Sequence, residues 1–279
     1  MINTSLKSGW KGFLSFTLVH QWNKTVVKDK QHFGPLVLQR PYYQEPDRPT
    51  ILVIHPPGGL VSGDQLMIKV TMQPGSKGLI STPAATKFYR SLGKTTTQTQ
   101  SVEVSENCDL EWLPQETLFF DRVNAENTLV FNLQSADCRL IAWDIVGLGR
   151  PAMQENFRQG FLTQSLTINL SGSPIFIDRF CLSGEDELLD SAFALGGATL
   201  MATMLFYHPD VKVLQQLKER LLNKSWAGLC GITLLENVLV LRTLDCDLEE
   251  IKARLIEAWQ TARLSVIGVE PVYPRIWRT

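Results

Sequence analysis

The segment TILVIHPPGGLVSGDQLMIKVTM, residues 50–72, contains two apolar runs separated by a constrained loop. Residues 50–54 and 66–72 are short apolar runs typical of β-strands. In the loop at residues 55–64, two prolines fix the backbone and lack amide donors, and three glycines permit positive φ or close backbone approach. The sequence therefore predicts strand, rigid loop, strand. Such a loop either positions a reactive group or holds a rigid surface against a partner.

Further strand-like segments lie on both sides of this loop. Each is a short apolar or alternating run bounded by turn residues. They cover residues 12–19, 78–82, 95–104, 110–113, 128–133, 139–144, 165–170 and 174–180. Many short strands separated by turns are typical of a sandwich, a barrel or a stacked β solenoid. No fixed-period repeat is visible, so the sequence gives a regular solenoid little direct support.

The pattern changes after residue 180, where two amphipathic helices are predicted. Residues 211–223 place leucines on one face, and residues 247–264 add an N-cap aspartate and acidic residues in the first turn. The segment 231–242 between them is typical of a β-hairpin. We therefore expect one domain over residues 1–279, β-rich up to residue 180 and mixed α/β from 181 onward.

Composition limits the classes of partner and the compartment. The chain has 279 residues, 44% hydrophobic and 20% charged, with a formal net charge of −1, so neither nucleic acid nor an anionic membrane is expected as the main partner. No apolar run is long enough to span a membrane, and the apolar N-terminal segment lacks a following cleavage site, so a cytoplasmic location is expected. Five widely spaced cysteines without a C-x-x-C pair indicate neither a disulfide framework nor a structural zinc site.

The residues match the motifs of three kinds of reactive site only in part. Gly93-Lys94-Thr95 looks like the end of a phosphate-binding loop, but position 88 is Phe where that motif needs Gly. The His-Pro-Pro-Gly-Gly run is similar to the oxyanion loops of esterases, but no G-x-S-x-G elbow occurs. No two histidines lie four residues apart, so a preformed metal centre is not indicated. An esterase-like hydrolase using this loop and a carbohydrate-binding β module stay open as alternatives.

Two other segments are unusual in composition. Residues 81–91, STPAATKFYRS, combine hydroxyls, two cations and two aromatic rings, which suits either an anion site or a protein interface. Residues 110–121, LEWLPQETLFFD, contain three carboxylates and a strand-breaking proline. Solvated charges on a β edge would also explain the second segment.

Taken together and in this order, the three segments closely resemble the UreD family of urease accessory proteins, also called UreH. GPLVLQRPYY at 34–43, GLGRPA at 147–152 and PRIWRT at 274–279 resemble the same family, so the resemblance spans nearly the full length. It implies a mainly β fold, an irregular stack of β-strands similar to a β-helix with a few helices, two of them near the C-terminus.

The resemblance also implies a function. Members of the family are non-catalytic scaffolds, or chaperones, for maturation of the nickel enzyme urease. They bind apo-urease, recruit a helical accessory protein (UreF) and a GTPase (UreG), and pass nickel toward the urease active site. A dimer of heterodimers with the helical partner is expected, with transient nickel and no tightly bound cofactor. The chain departs from the family at Ser62, where a glycine is common, and at Asp144 and Asp178, where many members have glutamate.

Certain polar residues of this chain are candidates for a nickel path. A carboxylate in or beside an apolar strand is costly unless it is paired, so such positions favour a function, although a local backbone amide would also satisfy each of them. The metal-path candidates are Asp64, Ser81, Thr82, Asp144 and Asp178, with His55 as a weaker one. The candidates for a structural role are Pro56, Pro57, Gly58, Gly59, Gly63, Lys87, Phe88, Tyr89, Arg90, Trp112 and Pro114.

Overall fold

The computed structural model describes residues 9–207, 211–225 and 227–278. Thr279, the last residue of the predicted C-terminal motif, lies outside these ranges. The strands are β1 Lys11–Gln21, β2 Lys24–Phe33, β3 Val37–Leu38, β4 Tyr42–Glu45, β5 Arg48–Ile54, β6 Gln65–Met72, β7 Lys77–Ser81, β8 Thr86–Phe88, β9 Thr96–Val104, β10 Asp109–Trp112, β11 Thr117–Phe119, β12 Val123–Leu133, β13 Arg139–Leu148, β14 Gly160–Leu170, β15 Ser173–Ser183, β16 Leu200–Tyr207, β17 Leu229–Leu235 and β18 Val238–Asp245. The helices are α1 Val211–Leu217, continued by a wider π turn Lys218–Leu222, and α2 Leu248–Ile267. Short 3-10 turns lie at Pro151–Met153, Glu187–Leu189 and Arg275–Arg278.

These strands form two sheets that face each other. Sheet I has the order β15-β14-β12-β9-β6-β1-β2, and sheet II has the order β17-β18-β16-β13-β10-β7-β5-β3, with β4, β8 and β11 paired beside it. Strands β1, β6, β9, β12 and β14 of sheet I are parallel, as are β5, β7, β10 and β13 of sheet II. Antiparallel strands close both sheets at their edges.

The chain winds between the two sheets as an irregular solenoid. Strands β5, β7, β10 and β13 lie in sheet II, and β6, β9, β12 and β14 alternate with them in sheet I. Thr50 pairs with Leu79, whereas Lys77 pairs with Asp109 and Asp109 with Arg139, so successive turns differ in length. This unequal spacing explains why no fixed repeat is visible. The predicted fold class, mainly β with stacked strands and two helices near the C-terminus, is confirmed.

Burial follows the strand patterns of the sequence. β6 alternates exposed and buried residues, because one face of sheet I meets the interior and the other meets solvent. β5 and β13 are nearly continuous apolar runs, because sheet II is covered on both faces. One core fills the space between the sheets, and a second lies between sheet II and helix α2.

The C-terminal elements agree closely with their sequence signals. The Asp247 carboxylate accepts the Glu249 amide N–H at 2.8 Å and caps α2, and Gly268 ends the helix with a φ of +84°. The hairpin is confirmed as β17 and β18. Strands β2 and β16 and the short strands β3, β4, β8 and β11 were not predicted. β2 is a charged edge strand, and β16 is an apolar run without alternation. Within the described ranges, no helix combines the length and apolarity needed to cross a membrane.

Candidate functional site

The three unusual sequence segments meet along a short third ladder at one side of the solenoid. Leu60 forms a parallel bridge with Phe88, Phe88 pairs with Phe119, and Phe119 pairs with Leu148. The rings of Phe88 and Phe119 stack with centroids 4.7 Å apart. The three segments therefore occupy equivalent positions on successive turns of the solenoid.

The Pro-Gly loop fits closely against the next turn. A Cβ on Gly59 would lie 2.4 Å from Cε2 of Tyr89 and 3.0 Å from the carbonyl oxygen of Lys87, so only glycine fits without movement. Gly58 and Gly63 have φ values of +79° and +86°. Pro56 and Pro57 are exposed at the tip of the loop.

The Asp64 carboxylate closes this loop. It accepts the Trp10 amide N–H at 2.7 Å and the Val61 amide N–H at 2.9 Å. Both oxygens are therefore engaged by backbone amides, and Asp64 lines neither of the two cavities described below. For this residue the geometry matches the structural alternative left open by the sequence.

A cavity of about 130 Å³ lies between the sheets next to the loop. It reaches the surface beside Gly58 and Pro83, which are exposed. Several candidates from different segments line it together: His55, Thr82, Lys87, Trp112, Pro114 and Asp144. Burial lowers the pKa of His55, and the nearby Asp64 charge partly opposes that shift. This histidine therefore favours the neutral imidazole, the form that can bind a metal.

Polar side chains continue inward from this cavity across sheet I. Gln98 pairs in register with Asn127, and Asn127 with Gln164, on the strand faces that point to the interior. All three are buried, and Gln98 Nε2 donates to Asn127 Oδ1 at 3.2 Å. We call these residues, with Asp144, Asp178 and Thr203, the polar seam.

Asp144 is the titratable centre of the polar seam. It lines both the first cavity and a second one of about 20 Å³, which Gln164, Asp178 and Thr203 also line. Burial raises the pKa of Asp144 from 3.8 to about 6; the hydrogen bond donated by Gln164 Nε2 opposes this rise, and the Asp178 charge adds to it. Gln164 Oε1 is buried without a hydrogen-bond partner among the described residues. Among the described residues, the Asp144 carboxylate and the Gln164 amide oxygen therefore have no cationic partner.

Asp178 lies where the polar seam reaches the edge of the sandwich. Its Oδ2 accepts the Thr203 hydroxyl at 3.3 Å and forms an ion pair with Arg242 Nη2 at 3.0 Å. The Arg242 side chain is 57% exposed, so this pair faces solvent on one side.

The remaining candidates have local structural contacts. The Ser81 hydroxyl donates to the Leu113 carbonyl at 2.7 Å, and the Thr82 hydroxyl accepts the Gln115 amide at 3.0 Å. The Pro114 carbonyl accepts Trp143 Nε1 at 2.6 Å. The Trp112 ring is buried edge-on against Phe131 at 6.0 Å.

Sequence reasoning missed Gln98, Asn127 and Gln164. Asn127 and Gln164 stand at inward positions of strands whose other inward residues are mostly apolar, as in Leu162-x-Gln164-x-Leu166, whereas Gln98 has the polar inward neighbours Thr96 and Gln100. A polar residue that interrupts such a row was the available signal.

A second buried polar group lies on the opposite face of sheet II. Arg263 of α2 donates from Nε to Glu111 Oε1 at 3.0 Å and from Nη2 to Glu111 Oε2 at 2.9 Å, and Nη2 also contacts Glu45 at 2.6 Å. Trp259 Nε1 donates to the same Glu111 carboxylate at 2.6 Å. Burial alone would lower the pKa of Arg263, but Glu111 and Glu45 outweigh it and raise that pKa. We call these four residues the helix-side ion network.

Comparison with known proteins agrees with the resemblance noted in the sequence. The family model of the UreD urease accessory protein matches residues 11–278. The urease accessory protein UreD of Pseudomonas putida strain W619 is 38% identical over 272 residues, which are 98% of this chain and 95% of that protein. UreD 2 of Brucella anthropi is 36% identical over 277 residues, covering 98% and 100%, and UreD of Alcanivorax borkumensis is 34% identical over 280 residues, covering 99% and 95%.

Proposed function

The chain belongs to the UreD urease accessory protein family, and on this premise we propose that it is a scaffold that assists nickel delivery into urease. It is an accessory protein and not an enzyme. The hydrolase alternative therefore falls, and no described hydroxyl or thiol hydrogen-bonds to His55. The carbohydrate-binding alternative gains no support from the family assignment. Trp112, Trp143 and Trp259 are buried, and neither of the exposed Trp10 and Trp22 lines the cavities described above.

The proposed partners are apo-urease, a UreF-type helical accessory protein and a UreG-type GTPase, in the cytoplasm. The sequence lacks a complete phosphate-binding loop, so GTP hydrolysis is assigned to the partner. We propose that the scaffold and the helical protein assemble as a dimer of heterodimers. Co-purification of the three proteins with tagged full-length chain tests this, and failure to retain any of them contradicts the scaffold role.

The polar seam is the proposed route for nickel as cargo. The observation that carries this proposal is the half-buried Asp144 carboxylate, which borders both cavities and has an amide as its hydrogen-bond donor. Nickel is a borderline cation, and a few oxygen ligands would hold it more weakly than a site rich in nitrogen or sulfur. Weak, successive contacts are what passage requires, because the ion must also leave.

The candidate residues have different places in this proposal. Thr82 and the neutral imidazole of His55 would act at the mouth, Asp144 in the middle and Asp178 at the far end. Ser81 and Asp64 hold backbone groups and would shape the mouth without contacting the ion. No three His, Cys, Asp or Glu side chains in the described ranges cluster as a metal centre, so the path would rely on single ligands.

The experiment compares urease co-expressed with variants of the full chain. Asp144→Asn preserves shape and removes the charge, so nickel per urease, measured by mass spectrometry, should fall severalfold while the accessory complex still co-purifies. Glu126→Gln, at an exposed position on the outer side of β12, is the matched control and should load nickel normally. Normal loading by Asp144→Asn in an intact complex would remove the seam from the path, and the scaffold role would remain.

A further inference from the structure

A groove lies on the outer side of the third ladder, away from the polar seam. Its space is about 570 Å³, and it is bordered by the Pro-Gly loop, the segment after β8 and the turn after β11. We define the edge groove by Val61, Tyr89, Arg90, Leu92, Phe120 and Arg122, with Arg150 at one end.

The floor of the edge groove is aromatic and held in place. Tyr89 and Phe120 meet edge to face with ring centroids 5.0 Å apart, and the Arg150 guanidinium lies 4.3 Å from the centre of the Phe120 ring. Val61 and Leu92 on the rim are 53% and 67% exposed. The groove therefore offers apolar contact that is unused within this chain.

The acidic side chains beside the groove are already bound to other groups of this chain. Asp121 Oδ1 accepts the amides of Arg158 and Gln159, both at 2.8 Å, and Glu155 binds the Asp121 amide and Arg150. Both acids are thus engaged inside the fold.

The cations remain available. Arg90 is exposed and has no hydrogen bond or ion pair with any described residue. Arg122 forms one ion pair, from Nε to Asp121 Oδ2 at 3.6 Å, but its side chain is 63% exposed and can still meet a partner from solvent. The unused groups of the groove are therefore positive and apolar.

We propose that the edge groove binds an acidic segment of a partner protein that carries one bulky apolar side chain. The apolar side chain would lie on Tyr89 and Phe120, and its acidic neighbours would pair with Arg90 and Arg122. Buried aromatic and arginine contacts are the ones that dominate protein interfaces. Two available cations on a chain of net charge −1 favour a protein over nucleic acid, whose affinity comes from many phosphate contacts.

This proposal rests on the scaffold role only in that the ligand is a protein. It does not involve the nickel path. Its experiment needs no urease, so failure of one is distinguishable from failure of the other.

Two labelled peptides serve as probes for fluorescence anisotropy with the full chain. One is Asp-Glu-Phe-Asp-Glu-Leu. The other is GEDELLDSAFAL, the sequence of residues 184–195, which represents a second copy of this chain as the occupant and contains four acids and a fully exposed Phe193. We expect the first peptide to bind in low salt and to weaken about tenfold or more in the Arg90→Glu/Arg122→Glu variant, whereas binding of the second peptide alone would overturn the proposal.

Controls make the result specific. Arg179→Glu, an exposed position on β15, should leave peptide affinity unchanged. A peptide with Lys in place of each acid should bind the charge-reversed variant better than the original chain, which also shows that the variant is folded. Absence of binding by both acidic peptides, or equal loss in Arg179→Glu, overturns the proposal. So do tighter binding of oligo-dT at the same arginines and concentration-dependent dimerisation that Arg90→Glu abolishes.

Discussion

The helix-side ion network and the polar seam lie on opposite sides of sheet II, and their carboxylates have different partners. Glu111 receives two hydrogen bonds from Arg263 and one from Trp259. Asp144 receives one from an uncharged amide, and burial raises its pKa to about 6. A carboxylate that is paired with a guanidinium holds two structural elements together. A carboxylate without such a partner can still bind a cation. The comparison thus distinguishes a polar cluster that stabilises the fold from a polar cluster that can bind a passing nickel ion.

The largest expected effect tests the first half of this comparison. Glu111→Ala leaves Arg263 buried without its bidentate partner, so the free energy of unfolding should fall by about 3–5 kcal/mol. Urea denaturation followed by tryptophan fluorescence measures it. The control Glu126→Ala, on the exposed face of sheet I, should change stability by less than about 0.5 kcal/mol. A loss below about 1 kcal/mol for Glu111→Ala would mean that the network does not clamp α2.

The second prediction has the opposite sign. The pKa of Asp144 is about 6 in the folded protein and 3.8 in the unfolded chain. The carboxyl group therefore ionises less readily when the protein is folded. The resulting penalty is absent below pH 3.8, grows up to about pH 6 and is constant above it. Asp144→Asn should therefore raise stability at pH 7, on the order of 2 kcal/mol after discounting for solvent access, and have little effect near pH 3.5.

Paired urea titrations at the two pH values measure this difference. If Asp144→Asn destabilises the protein at pH 7, the carboxylate is stabilised by a partner, and the contrast with Glu111 disappears. If the Asp144→Asn variant is more stable but loads less nickel into urease, the Asp144 carboxylate serves function at the expense of stability.

The smallest expected effect concerns the outer end of the seam. Arg242 and Asp178 form an ion pair open to solvent, and such pairs contribute about 0–1 kcal/mol. Arg242→Gln should therefore change the free energy of unfolding by less than about 1 kcal/mol in the same assay. A loss comparable with that of Glu111→Ala would place Asp178 in a clamp and shorten the proposed path.

Much of the fold could be predicted from sequence because its signals are local. Short apolar or alternating runs bounded by turn residues identified most strands, and Asp247 with its acidic first turn identified the start of α2. The two longest unpredicted strands had ambiguous local signals, and the other four, β3, β4, β8 and β11, are only two to four residues long. β16 is apolar on both faces, because it lies between the two cores, and β2 is a charged edge strand.

The sequence by itself determined most of the strands, the hairpin, the capped helix and, through three segments in order, the family. The tertiary structure decided which turns stack, so that Leu60, Phe88, Phe119 and Leu148 form one ladder. It also decided which acid pairs with a cation: Glu111 meets Arg263 across the fold, and Asp144 meets the uncharged Gln164. The physical reason is that a carboxylate's environment depends on facing residues far away in the chain, and local propensity and spacing contain no information about which residues those are.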